Sequence, residues 1–470
     1  MKLPNILFIH VDQQRYDCLG FTGHPLVRTP NLDRLRREGM SFTHAFTPIP
    51  LCCPARQTLL SGVMPEIHGG LWNYDSQQIP GLSTDFTTWT GLLKQQGYNM
   101  AYFGKWHVSP DHDPTAFGYD RYQPENLGRT EQVKRYDMPH NPVWPHTGYI
   151  NGAPLDETPT HALADSASDM LKTFAARRDA DGIPWHARFD LSEPHLPCIP
   201  AEPFASIYKP EDMAQWPNFR ETFENKPFIQ KQQLKNWCIE DWTWDEWSVY
   251  VALYFGMISQ VDDAIGRVLD ALERSGQSDD TVVIYTTDHG DAAGSHRMMD
   301  KHYVMYEEEV HVPLLVRWPG RIEPNSTCDD FVSNCLDLGP TILEACGMDI
   351  PETFQGKSFL PQLRGENAKD TWPVAFATYH GQQFGLYDMR MVRDERYKYV
   401  WNPTDVDEFY DLQEDPAELV NLAGGEMDKR LGPAYRKKVF NLFSSMDDKL
   451  MTRSTWVKHW LGQGKESTGK

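Results

Sequence analysis

The chain has 470 residues, of which 40% are hydrophobic and 24% charged, and its formal net charge is −21. This length and composition are typical of a globular protein with one large domain and a smaller one. The acidic balance argues against binding to nucleic acid phosphates, and no apolar run approaches the roughly 20 residues of a membrane span. An anionic substrate would therefore have to meet a local cluster of positive side chains.

The first predicted element is the apolar run NILFIHVD at residues 5–12, which ends in a carboxylate. Such runs with β-branched members are typical of buried parallel strands, so we expect a strand that carries Asp12 at its carboxyl end. No charged and apolar leader with a small-residue cleavage site precedes it, which predicts a reducing, cytoplasmic location. The next segment, TPNLDRLRREG, predicts a short helix that stops at Gly39.

Two adjacent cysteines, Cys52 and Cys53, precede a proline in LCCPARQTLLSG at residues 51–62. Neighbouring cysteines do not readily bond to each other, and the other six supply no second closely spaced pair for a zinc site. The residues alone leave two interpretations open, buried small hydrophobic side chains or a chemically special thiol.

Polar residues follow a second apolar strand later in the chain. Residues 250–274 have apolar side chains at three- and four-residue spacing, which predicts an amphipathic helix. The run DDTVVIYTTDHGD then predicts a buried strand that ends in Asp288 and His289. Because open α/β sheets bind ligands beyond the carboxyl ends of their strands, Asp12, Gln13, Asp288 and His289 could converge on a cation. The alternative is that each aspartate only caps a turn or helix.

The C-terminal part has a different character. Residues 389–402 alternate and carry Asp394 and Glu395 at their middle, which predicts a β-hairpin. The segment EFYDLQEDPAELVNL predicts a short strand, a turn and a helical tail. We place a domain boundary near residue 375, giving domains of 1–375 and 376–470. Residues 120–160 and 200–248 predict long ordered loops that shape a substrate pocket, and the tryptophans of NWCIEDWTWDEW either line it or pack elsewhere.

Residues 52–62 fit the pattern C-x-P-x-R-x-x-x-L-[ST]-G and resemble the signature of the sulfatase family. Further stretches resemble other family segments in the family's order along nearly the whole chain. These stretches are PNILFIHVDQQ, GLWNY, GYNMAYFGKWHV, LSEPHLP, TTDHGD, DKHYVMYEEEVHVPLLVRWPG and FYDLQEDPAELVNLA. The resemblance implies an alkaline phosphatase-like fold. Its expected parts are a large α/β domain with a mostly parallel sheet sandwiched by helices, and a smaller C-terminal domain of antiparallel sheet and helix.

In that family the first motif cysteine is oxidised to Cα-formylglycine, so the implied modified residue is Cys52, and a formylglycine-generating maturation enzyme is an implied partner. The hydrated aldehyde offers one hydroxyl to attack the sulfate ester and a second through which sulfate is released. The implied metal site is formed by Asp12, Gln13, residue 52, Asp288 and His289. The commonest family pattern is Asp-Asp and Asp-Asn, whereas the pairs here resemble choline sulfatases and phosphonate monoester hydrolases. Calcium is the first expectation and manganese the alternative, since an imidazole ligand favours a softer ion.

The resemblance also implies a cationic ring around the sulfate. Arg56 would hold the hydrate, and Lys105 and Lys301 would bind sulfate oxygens. His107 would take the hydrate proton, and His195 would donate to the leaving-group oxygen, with or without Lys301. Asn73 would supply a neutral hydrogen bond to the substrate.

The implied activity is hydrolysis of a small-molecule sulfate monoester to an alcohol and sulfate. One alternative is a phosphonate monoester or phosphodiester hydrolase that uses the same site, although Lys105 and His107 favour sulfate. The other is a non-catalytic sulfate-binding protein with an unconverted Cys52. The residues leave a sugar, a choline-like and a small alkyl or aryl alcohol open, with Trp72, Tyr74 and Trp106 as candidate contacts. A homo-oligomer is plausible from the aromatic loops, and no nucleic acid or membrane partner is expected.

Overall fold

The computed structural model describes residues 3–75, 80–125, 148–368 and 370–462. A central sheet of eight strands has the order β5-β4-β6-β1-β7-β8-β2-β9. Its strands are β1 (Asn5–Asp12), β2 (Met40–Phe42), β4 (Asn99–Gly104), β5 (Arg121–Gln123), β6 (Trp185–Pro194), β7 (Thr281–Thr287), β8 (Leu314–Arg317) and β9 (Ser326–Cys328). Only β8 runs against its neighbours, β7 and β2. The predicted mostly parallel sheet is therefore confirmed.

The position of β1 explains its sequence. It pairs in parallel with β6 on one side and β7 on the other, and all eight of its residues are buried. Leu7, Ile9 and Val11 face one hydrophobic core, whereas Ile6 and Phe8 face a second core on the opposite side of the sheet. A strand that is covered on both faces favours a nearly continuous apolar run, which β1 shows apart from its ends and His10.

Helices cover both faces of this sheet. The described α-helices of this part are α1 (Pro30–Glu38), α2 (Cys52–Ser61), α3 (Pro65–His68), α4 (Trp89–Gln95), α5 (Pro159–Asp181), α6 (Phe228–Asn236), α7 (Trp244–Arg274), α8 (Glu307–Val310), α9 (Asn334–Ala345) and α10 (Leu360–Leu363). The helix predicted at residues 250–274 is the C-terminal part of α7, whose capping box at Thr243 and Glu246 starts it earlier. No helix among the described residues has the length and apolar character needed to cross a bilayer.

A second sheet of four antiparallel strands follows in the order β11-β12-β13-β14. Its strands are β11 (Ala375–Gln382), β12 (Gly385–Arg393), β13 (Tyr397–Trp401) and β14 (Glu408–Asp411). The predicted hairpin is confirmed by the pairing of β12 with β13. Two further short strands, β3 (Ala45–Phe46) and β10 (Val332–Ser333), pair with each other.

Both faces of the antiparallel sheet are covered. One face packs on α11 (Glu426–Ser445) through Tyr435, Val439 and Phe443, and the short α12 (Lys449–Arg453) and α13 (Thr455–Trp460) follow. The other face packs on Tyr303 and Met305, in the segment that carries Lys301. The predicted helical tail within residues 412–422 is wrong, because turns occupy this stretch and α11 begins at Glu426. The division of the chain into two domains at residue 375 stays a prediction.

The two predicted long loops contain short helical segments. The 3-10 turns Pro210–Asp212 and Pro217–Arg220 and the helix α6 lie within residues 200–248. Trp242 and Trp247 contact each other edge to face, and Trp244 packs on Phe219, so these tryptophans serve packing. Residues 126–147 of the other loop lie outside the described residues.

Candidate active site

The site lies at the carboxyl ends of the central strands, where β1 delivers Asp12, β7 is followed by Asp288 and His289, and β4 is followed by Lys105. Cys52 is the first residue of α2, all ten residues of which are buried. Pro54 suits the first helical turn, where no intrahelical partner is needed for its missing N–H. Gly62, at a φ of 68°, ends the helix, and a Cβ there would lie 2.5 Å from the Phe354 ring.

Asp12, Cys52, Asp288 and His289 are brought together, with one potential ligand atom of each within 4.8 Å of the others, and all four residues are buried. His289 Nδ1 lies 2.8 Å from the Gly290 carbonyl oxygen, which can only accept, so this nitrogen carries the proton. Its Nε2 then presents a lone pair 3.1 Å from the Cys52 Sγ atom and 3.7 Å from a carboxylate oxygen of Asp12. Burial lowers the pKa of His289 and keeps the ring neutral. This donor set fits a divalent ion, with Asp12, Asp288 and His289 as its protein ligands.

Arg56 neutralises the carboxylates of this cluster from behind. Its fully buried guanidinium donates to Asp12 at 3.0 Å, to Asp288 at 2.9 Å and to Asp190 at 2.7 Å. Burial alone would lower the pKa of Arg56, but Asp190 and Asp288 hold it well above its ordinary value. For Asp12, burial would raise the pKa, but Lys105 and Arg56 hold it well below its ordinary value. Both sides of the cluster therefore stay charged.

The two adjacent cysteines have different surroundings. The Cys52 Sγ atom lies 3.6 Å from an Asp12 carboxylate oxygen, and Cys52 lines a cavity that Lys105, His195 and Lys301 also line. The Cys53 thiol faces Gln57 at 3.3 Å, and burial raises its pKa. Only Cys52 combines access to the cavity with proximity to the potential metal ligands.

Two ammonium groups and a histidine stand beside Cys52 in this cavity. Lys105 donates to Asp12 at 2.6 Å, and Lys301 donates to the Gln13 side-chain oxygen at 2.7 Å. Burial would lower the pKa of each lysine, but Asp12 raises that of Lys105 and Asp300 raises that of Lys301. Both lysines therefore remain cationic. Gln13 uses its side chain in this way, so its part as a metal ligand stays a prediction.

His195 is present in one definite tautomer. Its Nδ1 lies 2.6 Å from the Leu196 carbonyl oxygen and must carry the proton. Its Nε2 therefore accepts from Lys301 at 2.7 Å. Burial and the Lys301 ammonium hold the pKa of His195 well below its ordinary value. The proton between these two side chains therefore lies on Lys301 and not on His195.

His107 and Asn73 also line this cavity. The Nε2 atom of His107 lies 2.8 Å from an Asp75 carboxylate oxygen, an arrangement that leaves Nδ1 to accept a proton. The Asn73 side-chain oxygen accepts the backbone N–H of Cys53 at 2.9 Å. Asn73 thus satisfies a free N–H of the first turn of α2 and fixes the start of this helix.

Several residues of the site were missed by the sequence reasoning. Asp190, on β6, binds Arg56 and also Arg188 and Tyr102. Its local signal is a carboxylate between the apolar Phe189 and Leu191, in a strand that is buried as far as Leu191. Asp75 directly follows the stretch GLWNY, and Asp300 is the first residue of the stretch DKHYVMYEEEVHVPLLVRWPG, although neither was assigned a role. A backbone signal is also present, since Gln13, His107 and Asp300 have positive φ values of 66°, 49° and 67°, a conformation that concentrates at functional sites.

The cavity over residue 52 has a volume of about 450 Å³. Its more exposed lining residues include Tyr74, Asp75 and Gln383, and the buried Gln382 and His302 also line it. No described residue of 120–160 or 200–248 lines it, although Trp237 stacks behind His302. Of the candidate aromatic contacts, only Tyr74 lines it, since Trp106 is buried and donates to the His112 carbonyl oxygen and Trp72 donates to that of His380.

Comparison with known proteins gives a consistent result. The model of the family described as Sulfatase matches residues 4–348, and that of the N-sulphoglucosamine sulphohydrolase C-terminal region matches residues 294–444. An arylsulfatase of Clostridium perfringens is 28% identical, over 90% of this chain and 91% of its own length. The multifunctional alkaline phosphatase superfamily protein PehA of Trinickia caryophylli is 27% identical, over 96% and 97%. The crystal structure of a phosphonate monoester hydrolase of Agrobacterium radiobacter superimposes with a TM-score of 0.79 at 26% identity, covering 94% and 96% of the two chains.

Proposed function

This chain belongs to the sulfatase family of sulfuric ester hydrolases, and we propose that it cleaves a sulfate monoester by means of a formylglycine hydrate at residue 52 and one divalent metal ion. The observation that carries the proposal is the position of the Cys52 Sγ atom. It lies beside Asp12 and His289 and opens into the same cavity as Lys105 and Lys301. A side chain at this place can meet both an ion and an anion.

The hydrated aldehyde would supply the attacking hydroxyl and the second hydroxyl through which sulfate leaves. A divalent ion bound by Asp12, Asp288 and His289 would lower the pKa of the attacking hydroxyl and offset negative charge on the sulfate. Calcium remains the first expectation, and manganese is the alternative because one of the three ligands is an imidazole nitrogen.

The chain's own residues would carry the remaining chemistry. Lys105 and Lys301, both protonated before the reaction, bind the sulfate oxygens. Lys301 passes a proton to the departing alcohol oxygen, directly or through the Nε2 atom of His195 that it already contacts. His107, oriented by Asp75, takes the hydroxyl proton at Nδ1 when sulfate is released.

Mass spectrometry of the peptide that contains residue 52 tests the nucleophile. Conversion replaces one sulfur and two hydrogens by one oxygen, so it lowers the mass of this peptide. The protein should be co-expressed with a formylglycine-generating enzyme, and turnover of nitrophenyl sulfate should rise with the converted fraction. Turnover by a fully unconverted sample would refute the mechanism, and binding of sulfate without turnover by a converted sample would favour a non-catalytic role.

Phosphonate monoester or phosphodiester hydrolysis is the second candidate. It is supported by the similarity to the Agrobacterium enzyme and to PehA. The Lys-x-His pattern at Lys105 and His107 resembles that of sulfatases and favours a sulfate ester. Parallel measurement of kcat/KM on nitrophenyl sulfate and on a nitrophenyl phosphonate separates the two, since the main activity should have the higher value.

We also propose a cytoplasmic location, a maturation enzyme and a homo-oligomeric state for this protein. All eight cysteines are free thiols, in keeping with the predicted cytoplasmic location. A maturation enzyme follows from the need to convert Cys52, and a homo-oligomer remains an expectation from the sequence.

A further inference from the structure

The cavity over residue 52 has two chemically distinct ends. The inner end contains its cations, since Lys105 and Lys301 are the only lysine or arginine side chains among the described residues that line it. The solvent-exposed outer wall contains Asp75 and the Gln383 amide, whereas the neighbouring Gln382 is buried. The side chain of Asp75 is 66% exposed, so a negative charge stands at the mouth. Among the described residues, the alcohol half of the substrate therefore meets a polar wall that contains no lysine or arginine.

Gln383 is presented on this wall by a fixed backbone. It lies in the two-residue turn between β11 and β12, whose ends are Gln382 and Gly385. The Tyr303 hydroxyl accepts the backbone N–H groups of Gln382 at 3.2 Å and Phe384 at 3.0 Å, and it donates to the Gly385 carbonyl oxygen at 3.0 Å. The backbone N–H of Asn73 donates to the Gln382 side chain. A hydrogen-bonding group on such a braced turn loses little entropy when a ligand binds.

The composition of the wall argues against two of the three alcohols that the sequence left open. A quaternary ammonium group is best held by several aromatic faces, but Tyr74 is the only Phe, Tyr or Trp among the described lining residues. An alkyl or aryl group prefers an apolar pocket, but no Ala, Val, Leu, Ile, Met, Phe or Trp is among them. Carboxylates and amides instead pair well with hydroxyl groups.

The same wall also limits the charge of the substrate. A second sulfate or a carboxylate on the alcohol would meet no lysine or arginine among the described outer residues and would approach Asp75. The Oδ2 atom of Asp75 pairs with His107, whereas its other carboxylate oxygen can accept a hydrogen bond from a hydroxyl group. This wall is suited to an uncharged alcohol that carries several hydroxyl groups.

We propose that the substrate is the monosulfate of a neutral sugar, whose hydroxyls bind the Gln383 amide and the Asp75 carboxylate, while a second anionic group is disfavoured. This inference rests on the proposed sulfatase function and specifies its substrate. Gln383 is thereby assigned as a specificity residue that touches the substrate, on a turn contributed by the antiparallel sheet.

The test compares unactivated esters on protein with a converted residue 52. The probes are a galactose monosulfate, choline sulfate, hexyl sulfate and a glucosamine disulfate, with nitrophenyl sulfate as a check of the reaction itself. The galactose monosulfate should exceed each of the other three in kcat/KM by roughly tenfold or more, because a site that hydrogen-bonds hydroxyls rejects analogues that lack them. If choline sulfate, hexyl sulfate or the disulfate has the highest kcat/KM while nitrophenyl sulfate is turned over, this inference alone is overturned.

Two substitutions then test the assignment of Gln383. Gln383→Leu should lower kcat/KM on the galactose monosulfate more than on nitrophenyl sulfate, with the loss mainly in KM. Gln383→Lys should raise the relative rate on the glucosamine disulfate by about tenfold, because it adds a cation to the wall. The matched controls are Gln413→Leu and Gln413→Lys, at an exposed glutamine of the same sheet's last turn. Identical ratios in the Gln383 and Gln413 variants would refute the assignment. Failure to hydrolyse every ester, nitrophenyl sulfate included, would refute the proposed function itself.

Discussion

Replacement of Arg56 by methionine should lower the free energy of unfolding, because it removes a buried positive charge. The substitution leaves Asp12, Asp190 and Asp288 without the cation that each contacts at 3.0 Å or less. Removal of one partner from a buried ion pair costs about 3–5 kcal/mol. Lys105 still compensates Asp12 and Arg188 still compensates Asp190, which keeps the cost in this range although three carboxylates are affected. At roughly 2.1 cal/mol/K per residue, the unfolding entropy of this chain is about 1 kcal/mol/K, so the thermal midpoint should fall by about 3–5 °C.

The assay is thermal unfolding of metal-free and metal-loaded protein, with Arg34→Met as the matched control. Arg34 pairs with Asp270 at 2.9 Å, but its side chain is 28% exposed and that of Asp270 is 48% exposed. The control should therefore cost less than about 1 kcal/mol. A divalent ion between Asp12 and Asp288 would offset part of the lost charge, so it should stabilise the Arg56 variant more than the parent. An Arg56→Met variant that melts together with the control in chelator would refute this account of the buried cluster.

Three further predictions concern the nucleophile, the metal and acid stability. Cys52→Ala should reduce turnover to background, whereas Cys53→Ala should retain most of it, because only the Cys52 Sγ atom faces His289. Equal losses of kcat in the two variants would contradict this. His289→Asn replaces a nitrogen ligand by an amide oxygen and should shift the measured metal content from manganese toward calcium when both are offered. An unchanged ratio would remove His289 from the metal's ligands. Burial opposes the ionisation of Glu66, but Arg390 and His380 lower its pKa from 4.5 to about 2. The stability that it contributes is present above pH 4.5 and is lost as the pH falls toward about 2. Glu66→Gln should reduce the slope of the thermal midpoint against pH between pH 4.5 and about 2. An unaltered slope would refute this role of Glu66.

The strands that form the centre of the fold could be predicted because their sequences reflect their burial. The run at 5–12 is apolar at every position but its ends and His10, and the structure places it between two parallel neighbours. β7 is likewise buried along its whole length, between the parallel β1 and the antiparallel β8, and it ends one residue before Asp288. Local periodicity carries no information about which distant segments meet. The packing of the antiparallel sheet on Tyr303 and Met305 was therefore not predictable from either segment alone.

The candidate site shows the same limit. Residues at strand ends and within quoted motifs were predicted, since both signals are local. Gln383 follows no strand end of the central sheet and belongs to no quoted motif. It reaches the cavity only because the turn between β11 and β12 is bound to Tyr303 and Asn73. A residue whose role depends on contacts between segments hundreds of residues apart leaves no mark in a single sequence.

The departure at position 13 from the commonest family pattern has a physical explanation in its neighbours. The Gln13 side-chain nitrogen donates to Asp291 at 2.6 Å and to Asp300 at 2.9 Å, while its oxygen accepts from Lys301 at 2.7 Å. An aspartate at this position could accept from the lysine but would add a further negative charge against both carboxylates. Burial and Asp300 already raise the pKa of Asp291 to about 6. An amide donates and accepts at once, so it joins the lysine to the acid pair without added charge. The glutamine at position 13 is thus explained by its contacts with Asp291 and Asp300 as much as by the proposed divalent ion.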